Sequence, residues 1–260
     1  MSTMRTLTPD QLALLGRIDS ATVANVIELF GLRSFVAGYT NLTIKALYPE
    51  LPPAVGYAVT ATLRSAYPKD PSESTGGLAA LMSAVQTAPT PRIIVIQDLD
   101  EPPQAATYGE LRVASFQRFG SVGLITNGAG RDVEQVRQRR FPCWASSLIV
   151  SHGYFRIIDI QVPVFIGGLR ILPGDLLHGD GNGVVSIPRE ISAGVAELCD
   201  PYLKAEQIVL DYLQNKQILA EGYKQAIVVF RDALENLKLR ARESIGSQPG
   251  TATGCEDHQP

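Results

Sequence analysis

The chain is poor in cysteine, and the cysteines it has form no pattern. Cys143, Cys199 and Cys255 are three residues in 260, far apart and odd in number. With no CxxC pair they offer neither a disulfide framework nor a zinc knuckle, and they fit a reducing cytosol. An excess of one charge is missing too. Lys+Arg 23 against Asp+Glu 26 leaves a net charge of −3, so no basic field points to nucleic acid or an anionic membrane. No apolar run approaches the roughly 20 residues that span a bilayer. Residues 1–10 lack the charged-then-apolar order of a signal peptide. The expectation is a cytoplasmic protein with no membrane and no nucleic acid as partner.

Motifs for several chemistries are absent as well. There is no P-loop, GxSxG elbow or HExxH. His152, His178 and His258 are too scattered for a metal cluster, and the first two read as hydrogen-bonded loop residues. Gly128-Ala129-Gly130 follows a strand pattern, but Val133 replaces the third glycine of a dinucleotide fingerprint. No acid closes the next strand at Trp144-Ala145, which also argues against that site.

What is present reads as one α/β domain over residues 1–219, a helical extension over 220–245 and a polar, mobile tail over 246–260. Asp19-Ser20-Ala21-Thr22 offers N-cap residues before Val23, Val26, Ile27 and Phe30 at helical spacing. Residues 56–64 alternate like a strand, 78–85 are helical, and 92–98 form a continuous apolar run, as in a buried strand. A helix over 108–119, a strand over 121–126, a glycine turn and a helix over 133–140 follow. From 143 to 187 short apolar runs are separated by turn signals such as Gly167-Gly168 and Pro173-Gly174. These predict a curled sheet or small barrel. The rest is helical, with a break expected at Pro201.

Within this frame Glu110, Arg131 and Asp132 stand out. A helix of roughly ten residues rises about 15 Å, and a returning strand of roughly five covers a similar length. The chain goes out and comes back, so Glu110 and Asp132 can face each other at one sheet edge. Two carboxylates with a guanidinium between them suit a divalent cation and an oxyanion. The rival reading is a surface Arg–Glu ion pair, with Asp132 as a helix N-cap. Asp98, Asp100 and Glu101 end a strand and read as a solvated loop; Asp175 and Asp180 read as turn formers. Gly76-Gly77 reads as a loop glycine pair before a helix.

An ordered set of fragments resembles the RraA-like family, which includes class II 4-hydroxy-4-methyl-2-oxoglutarate/4-carboxy-4-hydroxy-2-oxoadipate aldolases. The fragments run from Ser20-Ala21-Thr22-Val23 through Gly56-Tyr57-Ala58 and Tyr108-Gly109-Glu110-Leu111 to Gly128-Ala129-Gly130-Arg131-Asp132. They continue with Gly167-Gly168-Leu169-Arg170, Pro173-Gly174-Asp175, Asp180-Gly181-Asn182-Gly183 and Ile187-Pro188-Arg189-Glu190, covering about residues 18–215. The family's aldolase pattern is an acid, twenty residues, Arg-Asp, two residues, then an acid. Glu110 takes the first place, usually Asp; Arg131-Asp132 match. The last acid place falls on Gln135, with Glu134 one step early, and here the chain departs. Regulator members, which bind and inhibit an RNA-degrading endonuclease, lack the Asp after the Arg.

The resemblance implies an α-β-β-α sandwich of the swivelling phosphohistidine type with a helical C-terminal extension. It implies a divalent-metal-dependent aldolase that cleaves a 4-hydroxy-2-oxo acid to pyruvate, with oxaloacetate decarboxylase side activity. Mg²⁺ or Mn²⁺ would bind Asp132 directly and Glu110 through water. Arg131 would bind the 2-oxo acid and stabilise the enolate. The turn at Gly109 and the N–H groups of Leu111 and Arg112 would hold the carboxylate at a helix start. A water held by the acids would act as base for the 4-hydroxyl. Glu206, from a neighbouring subunit of a homotrimer or homohexamer, would complete the metal shell, with Glu197 as the competing choice. Residues 67–70 and 98–104 are expected to shape the far pocket.

Overall fold

The computed structural model describes residues 6–68 and 77–246. Expectations that fall on residues 1–5, on Lys69, Asp70 and Gly76, and on the tail from 247 onward with Cys255 and His258 lie outside the described residues.

In chain order the elements are α1 (Pro9–Leu15), α2 (Ser20–Leu29), β1 (Lys45–Ala46), β2 (Ala54–Arg64), α3 (Gly77–Thr87) and β3 (Arg92–Asp98). Next come β4 (Ala106–Tyr108), α4 (Glu110–Arg118), β5 (Ser121–Thr126), β6 (Ala129–Gly130) and α5 (Val133–Gln138). The second half holds β7 (Cys143–Ala145), β8 (Ser147–Leu148), β9 (Arg156–Ile160), β10 (Val164–Ile166), β11 (Leu169–Ile171), β12 (Leu176–Asp180) and β13 (Gly183–Ile187). Two long helices end the described chain, α6 (Ser192–Leu213) and α7 (Ala220–Gly246).

Eight strands form one mixed sheet in the order β1-β7-β5-β3-β2-β12-β13, with β9 also pairing β2. β2, β3, β5 and β7 run parallel, and β12, β9 and β1 add antiparallel partners. Of the short strands from residue 143 onward, β7, β9, β12 and β13 therefore extend the main sheet and do not build a barrel of their own. β8 pairs instead with β6, outside the main sheet, and β10 and β11 form a separate hairpin, turning at Gly167 and Gly168 with φ of 53° and 79°. That positive-φ pair is the turn signal read from Gly-Gly.

Alternation along the strands assigns each side chain to a layer. In β3, Ile94 and Ile96 face α3, α4 and α5, while Ile93 and Val95 face the opposite side with the β10–β11 hairpin. Both faces are covered, so β2 is buried at every position but its last. The strand read over residues 56–64 is present, and its alternating Thr60 and Thr62 are buried instead of facing solvent, with the Thr60 hydroxyl donating to the Val162 carbonyl. At the β2 start, Val55 and Tyr57 pack with Leu176 and Ile187 beneath α1, α2 and α6. Leu237 and Ala241 of α7 join that same core.

Pro201 sits inside α6 without ending it. An internal proline costs a helix about 3 kcal/mol. Val195 and Leu198 are 0% and 3% exposed, and burying each contributes about 1.5–3 kcal/mol. Packing outweighs the local defect.

Candidate functional site

A small parallel sheet, β4-β6-β8, sets the site beside the main sheet. β4 delivers Gly109 and Glu110 to the start of α4, and β6 delivers Arg131 and Asp132 to the start of α5. The Arg131 N–H donates to the Tyr108 carbonyl (3.1 Å), which locks the two turns together.

Asp132 occupies the N-cap position of α5 at φ 55°, ψ 48°, and its side chain makes no cap bond there. A non-glycine residue in the left-handed region is held there by its surroundings. Its Oδ2 instead accepts the backbone N–H of Glu110 at 2.9 Å. The carboxylate thus reaches across to the other helix, so the N-cap reading describes its position but not its contact. Oδ1 has no hydrogen-bond partner among the described residues.

Gly109 is set by space. Its φ of −151° is extended and open to any residue. A Cβ there would meet Asp132 Oδ2 at 2.5 Å, and Arg131 Cγ and Nε at 3.0 Å. Gly130 is constrained in the same way, since its Cβ would meet the Tyr108 hydroxyl at 2.4 Å. The glycine turn lets the two strands approach and drops Arg131 and Asp132 onto the α4 terminus. α4 has no side-chain cap, and the first amides of a helix have no intrahelical acceptor. The N–H groups of Leu111 and Arg112 are therefore available to an anion.

Arg131 has Nε 3.8 Å from Asp132 Oδ2 and donates through Nη1 to the Val150 carbonyl at 3.4 Å. Nε itself is buried without a hydrogen-bond partner. Glu110 does not face Asp132 with its side chain: its carboxylate pairs with Arg139 at 2.8 Å. The surface Arg–Glu pair weighed as a rival is present, but with Arg139 as the cation. Arg139 was missed because nothing in the sequence separates it from Arg137 and Arg140. Gln117 Nε2 donates to its carbonyl at 2.9 Å and fixes it beside α4. The Arg112 side chain was missed as well. It lies over the Phe155 ring at 3.5 Å and donates to the Ala106 and Thr107 carbonyls.

Glu206 is not beside these residues in the single chain. It lines an α6–α7 groove with Val209, Leu210, Ile227 and Phe230. Burial raises its pKa, a Tyr202 hydrogen bond lowers it, and the charge of Asp19 raises it again, for a net upward shift. Glu197, the competing choice, lies on the same helix, α6. Glu134 is exposed and pairs with Arg137, and Gln135 is exposed. Among the described residues no three His, Cys, Asp or Glu side chains gather in a group that could hold a metal.

The acidic loop is corrected by the structure. Asp98 and Asp100 are 1% and 7% exposed, not solvated. Asp100 accepts the Ser65 and Ala66 amides at 2.6 and 2.9 Å and pairs with Arg64 at 3.0 Å. Burial raises its pKa, but those hydrogen bonds bring it below the usual value. Asp98 is shifted upward, first by burial. Three short polar steps in the sequence conceal a buried network that closes the strand ends. His178 is likewise in a strand, not a loop: Nδ1 meets Ser20 Oγ at 2.9 Å and Nε2 meets the Leu15 carbonyl at 3.0 Å. His152 is exposed and contacts the Gly153 carbonyl, as a loop residue would. Asp180 accepts the Asn182 amide at 2.7 Å and Asp175 the Leu172 amide at 2.7 Å, as turn formers do.

The RraA-like family profile (Aldolase/RraA) matches residues 22–186. A Halalkalibacterium halodurans protein named "Putative 4-hydroxy-4-methyl-2-oxoglutarate aldolase" is 30% identical over 175 residues, which is 66% of this chain and 78% of that one. The DlpA protein of Legionella pneumophila is 31% identical over 108 residues, 41% of this chain but only 17% of its own length. In structure, Streptomyces coelicolor RraAS2, described as an unusual member of the RNase ES inhibitor RraA protein family, superposes with a TM-score of 0.63. That match has 22% identity over 78% of this chain and 96% of RraAS2, and it speaks to fold alone. No helix among the described residues is long and apolar enough to cross a membrane. With its strand-end glycines, its Arg131-Asp132 turn and a profile match across most of the domain, the chain belongs to the RraA-like family.

Proposed function

We propose that the protein is a carbon–carbon lyase that releases pyruvate from a 4-hydroxy-2-oxo acid such as 4-hydroxy-4-methyl-2-oxoglutarate, with oxaloacetate decarboxylation as a side activity. The observation that carries this reading is the convergence of Asp132, Arg131 and the open amides of α4 on one spot. The α-β-β-α sandwich of the swivelling phosphohistidine type belongs to the same proposal.

The donor chemistry fits a hard cation. Asp132 Oδ1 is free among the described residues, and Glu110, once released from its pair with Arg139, would offer a second carboxylate, both oxygen donors of the kind Mg²⁺ or Mn²⁺ takes while keeping several waters. Glu206 from a neighbouring copy would add a third, in a homotrimer or homohexamer whose sites lie between subunits. Leu111 and Val150, 81% and 90% exposed beside Glu110 and Arg131, suit such a contact. When bound, the cation supplies Lewis-acid stabilisation of negative charge on the keto oxygen.

The chain's own groups do the rest. The amides of Leu111 and Arg112 hold the substrate carboxylate at the helix start. Arg131, with its unpartnered Nε, donates to the keto oxygen, where charge builds as the bond breaks. The 4-hydroxyl proton leaves, the C3–C4 electron pair moves into the C2–C3 bond, and a carbonyl forms at C4. Protonation at C3 then gives pyruvate. The acids orient the water that takes the hydroxyl proton. In oxaloacetate the same electron pair is released as carbon dioxide departs.

The rival is a binding protein of the RraA regulator type, favoured by the fold likeness to RraAS2; a third reading is a lyase or hydrolase for another oxo or sugar acid. Pyruvate formation from 4-hydroxy-4-methyl-2-oxoglutarate and from oxaloacetate, with Mg²⁺ and with EDTA, separates them. Turnover that requires the cation supports the lyase. No turnover together with co-purification of a ribonuclease supports the regulator, and metal-dependent activity only on other acids supports the third.

A further inference from the structure

Two guanidinium groups, Arg131 and Arg112, stand near enough for the charge of one to act on the other, and among the described residues only Arg131 has a carboxylate beside it. Arg131 has Asp132 at 3.8 Å. Arg112 has no acid partner among the described residues. Its Nη1 donates to the carbonyls of Ala106 (3.2 Å) and Thr107 (3.0 Å), and its plane lies 3.5 Å over the Phe155 ring. The other acid nearby, Glu110, is already taken by Arg139. Residues 149–155 tie the two cations into one wall: Val150 accepts from Arg131, Ser151 from the Ala106 amide, and Phe155 carries Arg112.

A partly buried guanidinium without an acid is uncommon, because removing charge from water is costly unless it is compensated. The two carbonyls and the ring face offset part of that cost. Burial first, and then the charge of Arg131, lower the Arg112 pKa to about 10, so it remains a cation at neutral pH. With Nη1 engaged, the Nε–Nη2 edge of the planar fork is the one left to receive a carboxylate through two parallel bonds.

We infer that Arg112 is a specificity-determining residue that receives the second carboxylate of a dicarboxylic 2-oxo acid. The inference rests on the proposed reading of the site as one for 2-oxo acids and deepens it. The first carboxylate and keto oxygen go to the α4 amides and Arg131, and the far carboxylate neutralises the surplus cation. A monocarboxylic acid of the same length leaves Arg112 without an anion.

The test uses two five-carbon probes, 2-oxoglutarate and 2-oxopentanoate, titrated calorimetrically into the full-length protein with Mg²⁺. Wild type binds 2-oxoglutarate roughly tenfold to hundredfold more tightly, the range for hydrogen bonds to a charged group. Arg112→Gln weakens 2-oxoglutarate to the level of 2-oxopentanoate and leaves 2-oxopentanoate unchanged, and Arg112→Lys recovers part of the preference. Equal affinity of wild type for the two acids overturns the inference while leaving the proposed lyase intact. Equal weakening of both acids by Arg112→Gln also overturns it, since that is what a purely structural arginine would give. If neither acid binds wild type, the inference and the reading of the site fail together.

Discussion

Gly109→Ala is the substitution that isolates the site from the fold. The backbone at Gly109 is extended, at φ −151° and ψ −171°, so alanine adds no conformational strain. The new methyl group would lie 2.5 Å from Asp132 Oδ2, where ordinary contact begins at 3.4 Å. The carboxylate must move by nearly an ångström. Its 2.9 Å bond to the Glu110 amide is lost, and Arg131 is pushed at two atoms. A hydrogen bond to a charged group is worth about 1.5–3 kcal/mol, so the unfolding free energy read from urea denaturation falls by that much at most. A 1 Å misplacement of a reacting group costs about 10²-fold in rate, so pyruvate release falls by that order. The control is Gly16→Ala. Gly16 has φ −64°, and its nearest Cβ neighbour would be at 3.4 Å. That variant keeps both stability and turnover. Wild-type turnover in Gly109→Ala, measured by coupled pyruvate assay, would refute the reasoning that space at residue 109 positions Asp132.

Arg139→Ala frees the Glu110 carboxylate from a half-exposed ion pair. Such a pair contributes about 0–1 kcal/mol, so the denaturation midpoint moves little while the affinity for Mg²⁺, read by calorimetry, rises; a weakened affinity would contradict the placement of Glu110. His178 is buried and held neutral, chiefly by desolvation, with its pKa below the ordinary 6.5. The unfolded chain therefore binds the proton more readily. Stability is fully present above pH 6.5 and declines as pH falls below it. Urea midpoints between pH 7.5 and 5 show this slope, and His178→Gln flattens it; an unchanged slope in the variant would assign it elsewhere. Leu124→Ala, at a fully buried β5 position, lowers stability by about 2–5 kcal/mol. A loss under about 1 kcal/mol in urea unfolding would mean that this part of the core repacks easily.

The sequence carried the parts of this account that depend on local pattern. The apolar run at residues 92–98, the Gly167-Gly168 hairpin and the Arg131-Asp132 turn after a glycine-rich strand end are all local. Pairing between distant segments was not legible. β12 lies against β2, more than a hundred residues earlier, through contacts such as His178 with Val55. Short strands of that kind give no sign of which sheet they join. The buried acids show the same limit: Asp100 looks solvated until the amides of Ser65 and Ala66 are seen to reach it from β2's end. At the site, Glu110 and Asp132 were legible as neighbours. That the contact runs through the Glu110 amide and not its carboxylate depends on the left-handed backbone of Asp132, which no sequence rule for aspartate requires. Pro201 failed as a helix stop because tertiary packing outweighs a local rule.

The central claim is that Asp132 and Arg131 handle a pyruvate fragment together with a divalent cation. The most direct measurement is pyruvate released from 4-hydroxy-4-methyl-2-oxoglutarate by metal-stripped and Mg²⁺-restored protein, in wild type, Asp132→Asn and Arg131→Ala. The expected result is turnover only in restored wild type, with each variant lower by about 10²–10³-fold, as for loss of a group that stabilises developing charge. Undiminished turnover in either variant, or in the stripped wild type, would contradict the account.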